Sequence, residues 1–287
     1  MTTPEVQTPE HFNAVIYRRT SSEDGDEVHQ IGPDDPDFGV ISFCIFRTLM
    51  MLNTPAALEA MDTISYGVLQ DNPDLQHPIE LTASTFVREV FLPSVHDEFP
   101  AVCIDDWVTS DHGIGIVRGE VWKATGWHHS LVIQLNASFV KLVHDYAERE
   151  EPRNQQAILF RLINSMFLMV GNHILYANLA KGRYMCPPTA LTPPKLETIF
   201  GEVDLIQRDR STRWLEYHVL GGALRKLPLS ERAIFRQQYK HERECIGDYE
   251  VGEEALNGVL GLEGEGRSQN HTLALFGHCH PQALTGY

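Results

Sequence analysis

The chain lacks the sequence features of membrane and secreted proteins. No stretch reaches the ~18 consecutive apolar residues that span a bilayer. Residues 1–10 are polar and acidic, without the charged and apolar segments of a secretory signal. The five cysteines are scattered, odd in number and without C-x-x-C spacing, which indicates reduced thiols rather than a disulfide framework. We therefore expect a cytoplasmic protein with no membrane partner.

Positive charge is also scarce. The 287 residues include 23 Lys and Arg against 39 Asp and Glu, which gives a formal net charge of −16. A surface this acidic does not replace the counterions of a phosphate backbone, so nucleic acid is excluded as a partner. The hydrophobic share of 43% is ordinary for a globular protein, and the acidity favours solubility. The sequence does not indicate an oligomeric state.

Composition divides the chain into three predicted regions. Residues 1–40 are rich in Pro, Asp, Glu and Ser, and we expect an acidic, partly mobile segment there. Residues 41–229 hold most of the apolar runs and are predicted to form the core domain. Residues 230–287 are predicted to begin with a polar helix, up to about Arg243, and to end in a flexible tail rich in Gly and Glu.

Helix boundaries in the first half of the core are predicted from residues that start or stop helices. Thr54 is a good N-cap and Pro55 suits a first helical turn, so we predict a helix over residues 56–69. A second helix is predicted over residues 82–91, with Pro93 as its stop signal. The first half of the core is therefore expected to be largely helical.

The middle of the chain has a different pattern. Short β-rich runs separated by Gly and Asp lie at residues 101–104, 115–118 and 131–135. Asn136 is predicted to cap a helix over residues 137–149, and Pro152 to open a long helix that ends near Gly182. Together these elements predict an α+β fold, in which a small mixed or antiparallel sheet packs on helices and the long helix is central.

One histidine lies on the apolar stripe of the long helix. Steps of three and four residues connect Leu162, Met166, Met169 or Val170, His173 and Ala177. This spacing predicts that His173 points towards the interior. In a protein core such a histidine is commonly hydrogen-bonded to a neighbour and has only a structural role. A role in a site is the alternative.

The order of these elements resembles a zincin-like metallopeptidase domain found in many fungal proteins. In that family an H-E-x-x-H helix is followed by paired prolines and then by a second segment closed by F-G-G. The matching stretches are Met169-Val-Gly-Asn-His173, Cys186-Pro-Pro188, Arg210-Ser-Thr-Arg-Trp-Leu-Glu216 and Leu220-Gly-Gly222. The resemblance covers roughly residues 100–222. It implies a zincin-like fold with the long helix beside the cleft.

The sequence differs from that family at the positions of the metal ligands and of the catalytic glutamate. Met169 stands at the first histidine position, and a thioether is a poor ligand for catalytic zinc. Val170 stands at the glutamate position, where a carboxylate is needed to activate water. Arg210 stands at the position of the third ligand, and only His173 and Glu216 remain. The resemblance therefore implies a scaffold without a metal site or other cofactor.

A cleft without its metal implies a different chemistry. We expect an enzyme that acts on an apolar small molecule by non-redox chemistry (cyclisation, isomerisation, dehydration or hydrolysis) in fungal secondary metabolism. His173 would be the acid or base and Arg210 the clamp for an anion, with Tyr176 and Glu216 as further catalytic candidates. The predicted substrate-binding walls are apolar and aromatic: Met166, Met169, Val170 and Trp214.

Two histidines before the third β-rich run are weaker candidates. His128 and His129 precede the run at residues 131–135, and neighbours on a strand face opposite sides, so one of them is expected to reach the cleft. An exposed turn is the alternative.

Two other function classes fit the same residues. The first is a catalytically inactive pseudopeptidase that serves as a binding or scaffold protein. The second is a zinc metallopeptidase with non-standard ligands, in which His128, His129 or His218 joins His173.

Overall fold

The computed structural model describes about half of the chain. The longer described stretches hold the sheet and the main helices, and the shorter ones belong to the second half of the sequence. They are residues 14–22, 25–71, 83–106, 112–116, 131–175, 215–216, 218–220, 223–224, 234–238, 245–250 and 258–260. The architecture is α+β, as the sequence predicts.

A mixed five-stranded sheet forms one layer. Its strands are β1 (Ile16–Ser22), β2 (Gly25–Gln30), β3 (Ala101–Asp105), β4 (His112–Ile116) and β5 (Leu131–Asn136). Their spatial order is β2-β1-β3-β5-β4. The three central strands β1, β3 and β5 are parallel, and both edge strands are antiparallel to their neighbours. The predicted β-rich runs are thus confirmed as strands where they are described; β4 begins earlier than expected, and residues 117–118 lie outside the described residues.

The helices form the other layer. They are α1 (Pro36–Leu52), α2 (Pro55–Asp71), α3 (Ala83–Thr85), α4 (Leu92–Asp97), α5 (Ala137–Glu148) and α6 (Pro152–Leu168). A π-helical segment, Phe86–Phe91, joins α3 to α4, and a second one, Met169–Ile174, continues α6. Helix α6 packs against α1 and α5. It is the long helix of the sequence analysis, and its second half is buried.

Alternation along the strands divides the buried residues into two clusters. One face of the sheet joins the main core formed with the helices, through Ile16, Val102, Ile104, Ile133 and Leu135. The other face holds a smaller cluster of Tyr17, Ala101, Cys103 and Val132. Burial, together with a smaller effect of the nearby Asp105 carboxylate, raises the pKa of the Cys103 thiol to about 12. This cysteine is therefore protonated at neutral pH.

Two predicted helix starts are confirmed by their capping contacts. Helix α2 begins at Pro55, and the Ala57 amide lies 3.3 Å from the Thr54 hydroxyl that accepts its hydrogen bond. Helix α5 begins after Asn136, whose side-chain oxygen accepts from the Ser138 amide at 2.8 Å. The capping side chain precedes each helix in the sequence, which is why the sequence sufficed.

The prediction that Pro93 stops a helix is wrong. The chain stays helical from Ala83 to Asp97, and Pro93 lies in the first turn of α4. The π-helical segment explains this outcome, because the Leu92 amide donates to the Val87 carbonyl five residues earlier. A new α-helical register therefore begins at Leu92, where the missing N–H of proline is tolerated.

The described part of the N-terminal region, residues 14–22 and 25–40, belongs to the sheet and to α1, and residues 1–13 of the expected mobile segment lie outside the described residues. Strands β1 and β2 form an antiparallel pair, and β1 also pairs with β3 in the centre of the sheet. Ser21 and Ser22 lie in β1, and Asp26 and Glu27 lie in β2, rather than in a loop. Cross-strand pairing outweighs the low strand propensity of these residues.

The prediction for the C-terminal region is also wrong in part. Residues 234–238 form a strand, β7 (Ile234–Gln238), and not a helix. It pairs with β6 (Ala223–Leu224) and β8 (Cys245–Glu250) in a second, antiparallel sheet. Val259 and Leu260 join the main core.

Arg47 on α1 forms hydrogen bonds with the segment that contains Val259 and Leu260. The Arg47 guanidinium donates from Nε to the Val259 carbonyl at 2.6 Å and from Nη2 to the Gly258 carbonyl at 3.0 Å. Burial lowers the pKa of Arg47. Part of the region predicted as a flexible tail is therefore docked on the helical layer.

Within the described part of the chain, no single helix meets the length and apolarity of a membrane span. Only the bent pair of residues 36–52 and 55–66 meets them together, with an angle of 76° between its two halves.

A charged network joins the sheet to two helices. The Arg18 guanidinium on β1 lies 2.7 Å and 2.9 Å from the two carboxylate oxygens of Asp35, the N-cap of α1, and 2.5 Å from Asp37. His144 Nε2 on α5 lies 2.8 Å from the other oxygen of Asp37. The hydrogen bond from Arg18 lowers the pKa of Asp35, with a smaller contribution from the Asp37 amide.

This network predicts a loss of stability in acid. A carboxyl group with a lowered pKa in the folded state stabilises the fold above its unfolded pKa of about 3.9, and that contribution disappears as the pH falls through the folded value. Asp35→Asn keeps a good N-cap but removes the charge. We expect the variant to lose about 1–2 kcal/mol at pH 7 and a smaller amount at pH 3, because protonation of Asp35 reduces the contribution only below the unfolded pKa. Urea unfolding at both pH values measures the difference.

The neighbouring exposed Asp34 provides the matched control. Asp34→Asn is expected to change the free energy of unfolding by less than about 0.5 kcal/mol at either pH. An Asp35→Asn deficit that stays the same at low pH would contradict the assignment to the Arg18 contact.

Candidate functional site

The central helix buries a stripe of polar side chains in the core. Arg161, Asn164 and Ser165 lie at positions i, i+3 and i+4 of α6 and are all buried, and Asn172 in the following π-helical segment is buried too. Burying polar groups is unfavourable unless they are paired, so such a stripe needs a physical reason. We call these four residues the polar stripe.

A carboxylate from a distant part of the chain meets this stripe. Asn164 Nδ2 donates to Glu216 Oε1 at 2.8 Å, across 52 residues of sequence. The exposed fraction is 3% for Asn164 and 5% for Glu216, so the contact lies in the interior. The amide holds the carboxylate in one orientation, as a second residue does for an ionisable group in an active site. This structure therefore places one predicted catalytic residue, Glu216, against the central helix.

The stripe also buries a positive charge. Only 2% of Arg161 is exposed, and its guanidinium carbon lies 4.4 Å from the centre of the Phe139 ring on α5. A cation over an aromatic face is stabilised by the ring quadrupole when water is excluded. Arg161 precedes Asn164 by one turn of the same helix, so the site combines a cation with the Glu216 carboxylate.

The segment that carries Glu216 packs closely on the π-helical segment. A Cβ atom at Gly171 would lie 2.7 Å from Leu215 Cδ2 and 3.3 Å from Leu52 Cδ2. A side chain at this position would require the buried Leu215 side chain to move. The π-helical segment coincides with the stretch Met169 to His173 that was compared with H-E-x-x-H, and π-helical turns within α-helices are frequent at functional sites.

The predicted wall residues on the central helix belong to the main core. Met166, Met169 and Val170 are all buried in it. Their side chains expose almost no surface to solvent, which differs from the walls of an open cleft. Their role as substrate-binding residues stays a prediction.

His218, an alternative zinc ligand, is directed towards α2. Its Nε2 atom lies 3.6 Å from Glu59 Oε2, and the Glu59 side chain is 74% exposed. A pair this exposed contributes little to stability. In the part of the chain that the structure describes, no group of three or more His, Cys, Asp or Glu side chains is arranged to hold a metal ion. The zinc alternative with His173 stays untested.

Several predicted residues lie outside the described part of the structure. They are the His173 side chain and Tyr176, Arg210, Trp214, His128 and His129. The predicted pairing of His173 with Arg210 therefore stays a prediction.

The sequence analysis missed Arg161 and Asn164. The signal was present, because the stretch from Leu159 to Val170 is apolar apart from Arg161, Asn164 and Ser165. Three polar residues on one face of such a helix are either exposed to solvent or hydrogen-bonded to a buried partner. The sequence does not distinguish these two cases, because the partner of Asn164, Glu216, is 52 residues away along the chain.

Comparison with protein families, curated proteins and solved structures finds no match to this chain. The fold and the site together define an α+β protein with an ionisable carboxyl group held in its core by the central helix. What this site does must therefore follow from its own geometry and chemistry.

The contact at Gly171 predicts an unusual effect of alanine. Gly171→Ala brings a methyl group against Leu215 and Leu52, and we expect a loss of about 1–3 kcal/mol in the free energy of unfolding. Gly39→Ala in α1 is the matched control, because a Cβ there meets nothing within 4 Å. Alanine at that helical site is expected to gain about 0.5–1 kcal/mol. Urea unfolding of both variants measures this difference, and equal effects would contradict the close packing.

Proposed function

We propose that this chain is an enzyme that acts on an apolar small molecule by acid–base chemistry, without a metal, on a zincin-like scaffold. The observation that carries the proposal is the Glu216 carboxylate in the core, 2.8 Å from the Asn164 amide. A buried, oriented carboxyl group is the residue type used for proton transfer in water-excluded sites. The proposed reactions are cyclisation, isomerisation, dehydration or hydrolysis, all of them non-redox.

The arrangement of elements supports the scaffold part of the proposal. The antiparallel edge strand β4 lies beside β5, which leads into α5 and then into the central helix. The segment carrying Leu215 and Glu216 packs on that helix. The resemblance to zincin-like domains implies this order of edge strand, long helix and second segment.

Glu216 and two residues of the polar stripe would supply the parts of an acid–base reaction. Glu216 accepts a proton from the substrate and returns it at another position, so no electrons are exchanged. Asn164 keeps the carboxylate oriented while the proton moves. Arg161 stabilises negative charge that develops nearby, because an electrostatic interaction is strong where water is excluded. His173 and Arg210 remain candidate partners in this chemistry.

Two residues at the positions of the metal site in zincin-like enzymes, Met169 and Val170, support a reaction that uses the Glu216 carboxylate instead of a metal ion. Met169 and Val170 are buried among core side chains. Neither side chain transfers protons, and a thioether is a poor ligand for catalytic zinc. An apolar environment suits an apolar substrate, as in fungal secondary metabolism.

Glu216→Gln tests the proposal with little change in shape. Purified wild-type protein and variant are incubated with a panel of apolar phenols, enones and lactones, and the products are separated and weighed by mass spectrometry. We expect turnover by the wild type to fall by about 10²–10⁴-fold in the variant, because glutamine accepts no proton at neutral pH. The thermal unfolding midpoint of each protein verifies that it is folded.

Glu59→Gln is the matched control. Glu59 is an exposed glutamate that contacts the same segment through His218, and its substitution should leave turnover unchanged. Turnover that survives in folded Glu216→Gln, or no turnover by the wild type, would contradict an enzyme that depends on Glu216.

A second candidate function is a binding protein without catalysis. It is favoured by the close packing of Leu215 on Gly171. This packing leaves little room between the π-helical segment and the segment that carries Glu216, next to Val170. An inactive scaffold would keep that packing and need no open cleft. Binding of a ligand without turnover, unchanged in Glu216→Gln, would support this alternative.

A further inference from the structure

Strand β2 is one edge of the five-stranded sheet. In the part of the chain that the structure describes, β1 is its only neighbouring strand, and the register between them is continuous. Glu27, His29 and Gln30 are exposed, and Val28 is half-buried against the smaller cluster. The strand contains no proline. An exposed edge strand without a proline or a bulge is a template for pairing with another strand.

The backbone groups at the open edge of β2 follow from its register with β1. The Ile31 amide donates to the Ile16 carbonyl at 2.9 Å, just beyond the end of β2. Hydrogen-bonded and non-hydrogen-bonded pairs alternate along an antiparallel ladder, so the N–H and C=O groups of His29 and Glu27 face β1. The other residues of this stretch direct their N–H and C=O groups away from β1: Asp26, Val28 and Gln30.

Charge decides which partner and which register fit this edge. A charged residue on an edge strand commonly repels an identical edge, and a pair of β2 strands centred on Glu27 would place two carboxylates opposite each other. A pair centred on Val28 instead places Glu27 opposite His29 of the second copy. An imidazole donates a hydrogen bond to a carboxylate, whether or not the ring is charged. The register centred on Val28 is therefore self-complementary.

We infer that β2 pairs antiparallel with β2 of a second copy of this chain, centred on Val28. The contact is isologous, because each copy contributes the same strand. Val28 exchanges both backbone hydrogen bonds with Val28 of the second copy, and Asp26 exchanges them with Gln30 of the second copy. One continuous sheet then runs through both copies.

The size and the charge of this contact predict a weak dimer. Pairing of two short strands buries less surface than a standard protein–protein interface. Each copy has a formal net charge of −16, so two copies repel each other at low salt. Salt at about 0.3 M reduces the range of this repulsion to less than about 8 Å. In that buffer we expect a dissociation constant on the order of 100 µM.

Sedimentation equilibrium of the full-length protein measures the dimer. Val28→Pro removes an outward N–H, and proline is tolerated on an edge strand where the N–H faces away from the sheet. We expect this variant to weaken the dimer at least about tenfold. Val28→Thr is the matched control, because threonine keeps the N–H and the β-branched shape, and it should dimerise like the wild type. Circular dichroism verifies that both variants are folded.

An exchange of charges tests the register without a change to the backbone. Glu27→Lys places a lysine opposite His29 of the second copy, and His29→Glu places two glutamates opposite each other. Each variant alone should dimerise at least about threefold more weakly than the wild type. A one-to-one mixture pairs the new lysine with the new glutamate, so it should associate about as tightly as the wild type. This comparison remains available if Val28→Pro fails to fold.

Three results would overturn the inference. They are a wild type that stays monomeric at about 0.5 mM, a dimer that folded Val28→Pro leaves unchanged, and a mixture that associates no better than its two separate variants. The first result would leave the edge to an extended segment of a different protein. The second would place the contact between copies on another surface.

Discussion

The hydrogen bond between Asn164 and Glu216 is the constraint around which the helical layer is arranged. It pairs a carboxylate with the central helix in a region where an unpaired charge would be strongly unfavourable. Because both side chains are buried, the segment that carries Glu216 must lie directly on that helix. The close approach of Leu215 to Gly171 follows from the same packing.

The π-helical continuation of α6 belongs to this arrangement. It spans Met169 to Ile174 and includes Gly171, where the second segment comes closest. A π-helical turn inserts a residue and thereby rotates the side chains that follow it. The side-chain spacing of a regular α-helix therefore does not continue unchanged through this segment. Three residues of the polar stripe, Arg161, Asn164 and Ser165, lie before that turn in regular α-helix, and Asn172 lies within it.

Signals between neighbouring residues predicted much of the fold correctly. The caps at Thr54 and Asn136 and the strands of the middle region were all recognisable, since each depends on residues close together in sequence. Errors arose where distant partners decide. Residues 16–22 and 25–30 form strands because β1 pairs with β2 and β3, and residues 234–238 form a strand because β7 pairs with β8. Of the site, the sequence predicted Glu216 but not Asn164 as its partner.

The sequence by itself determined the α+β class and the long central helix, because composition and periodicity express these directly. Only the tertiary structure decided which polar groups meet in the core. Asn164 and Glu216 are 52 residues apart, and nothing in the intervening sequence states that they touch. A contact of this kind depends on how complete layers pack together, and packing is a property of the folded chain as a whole.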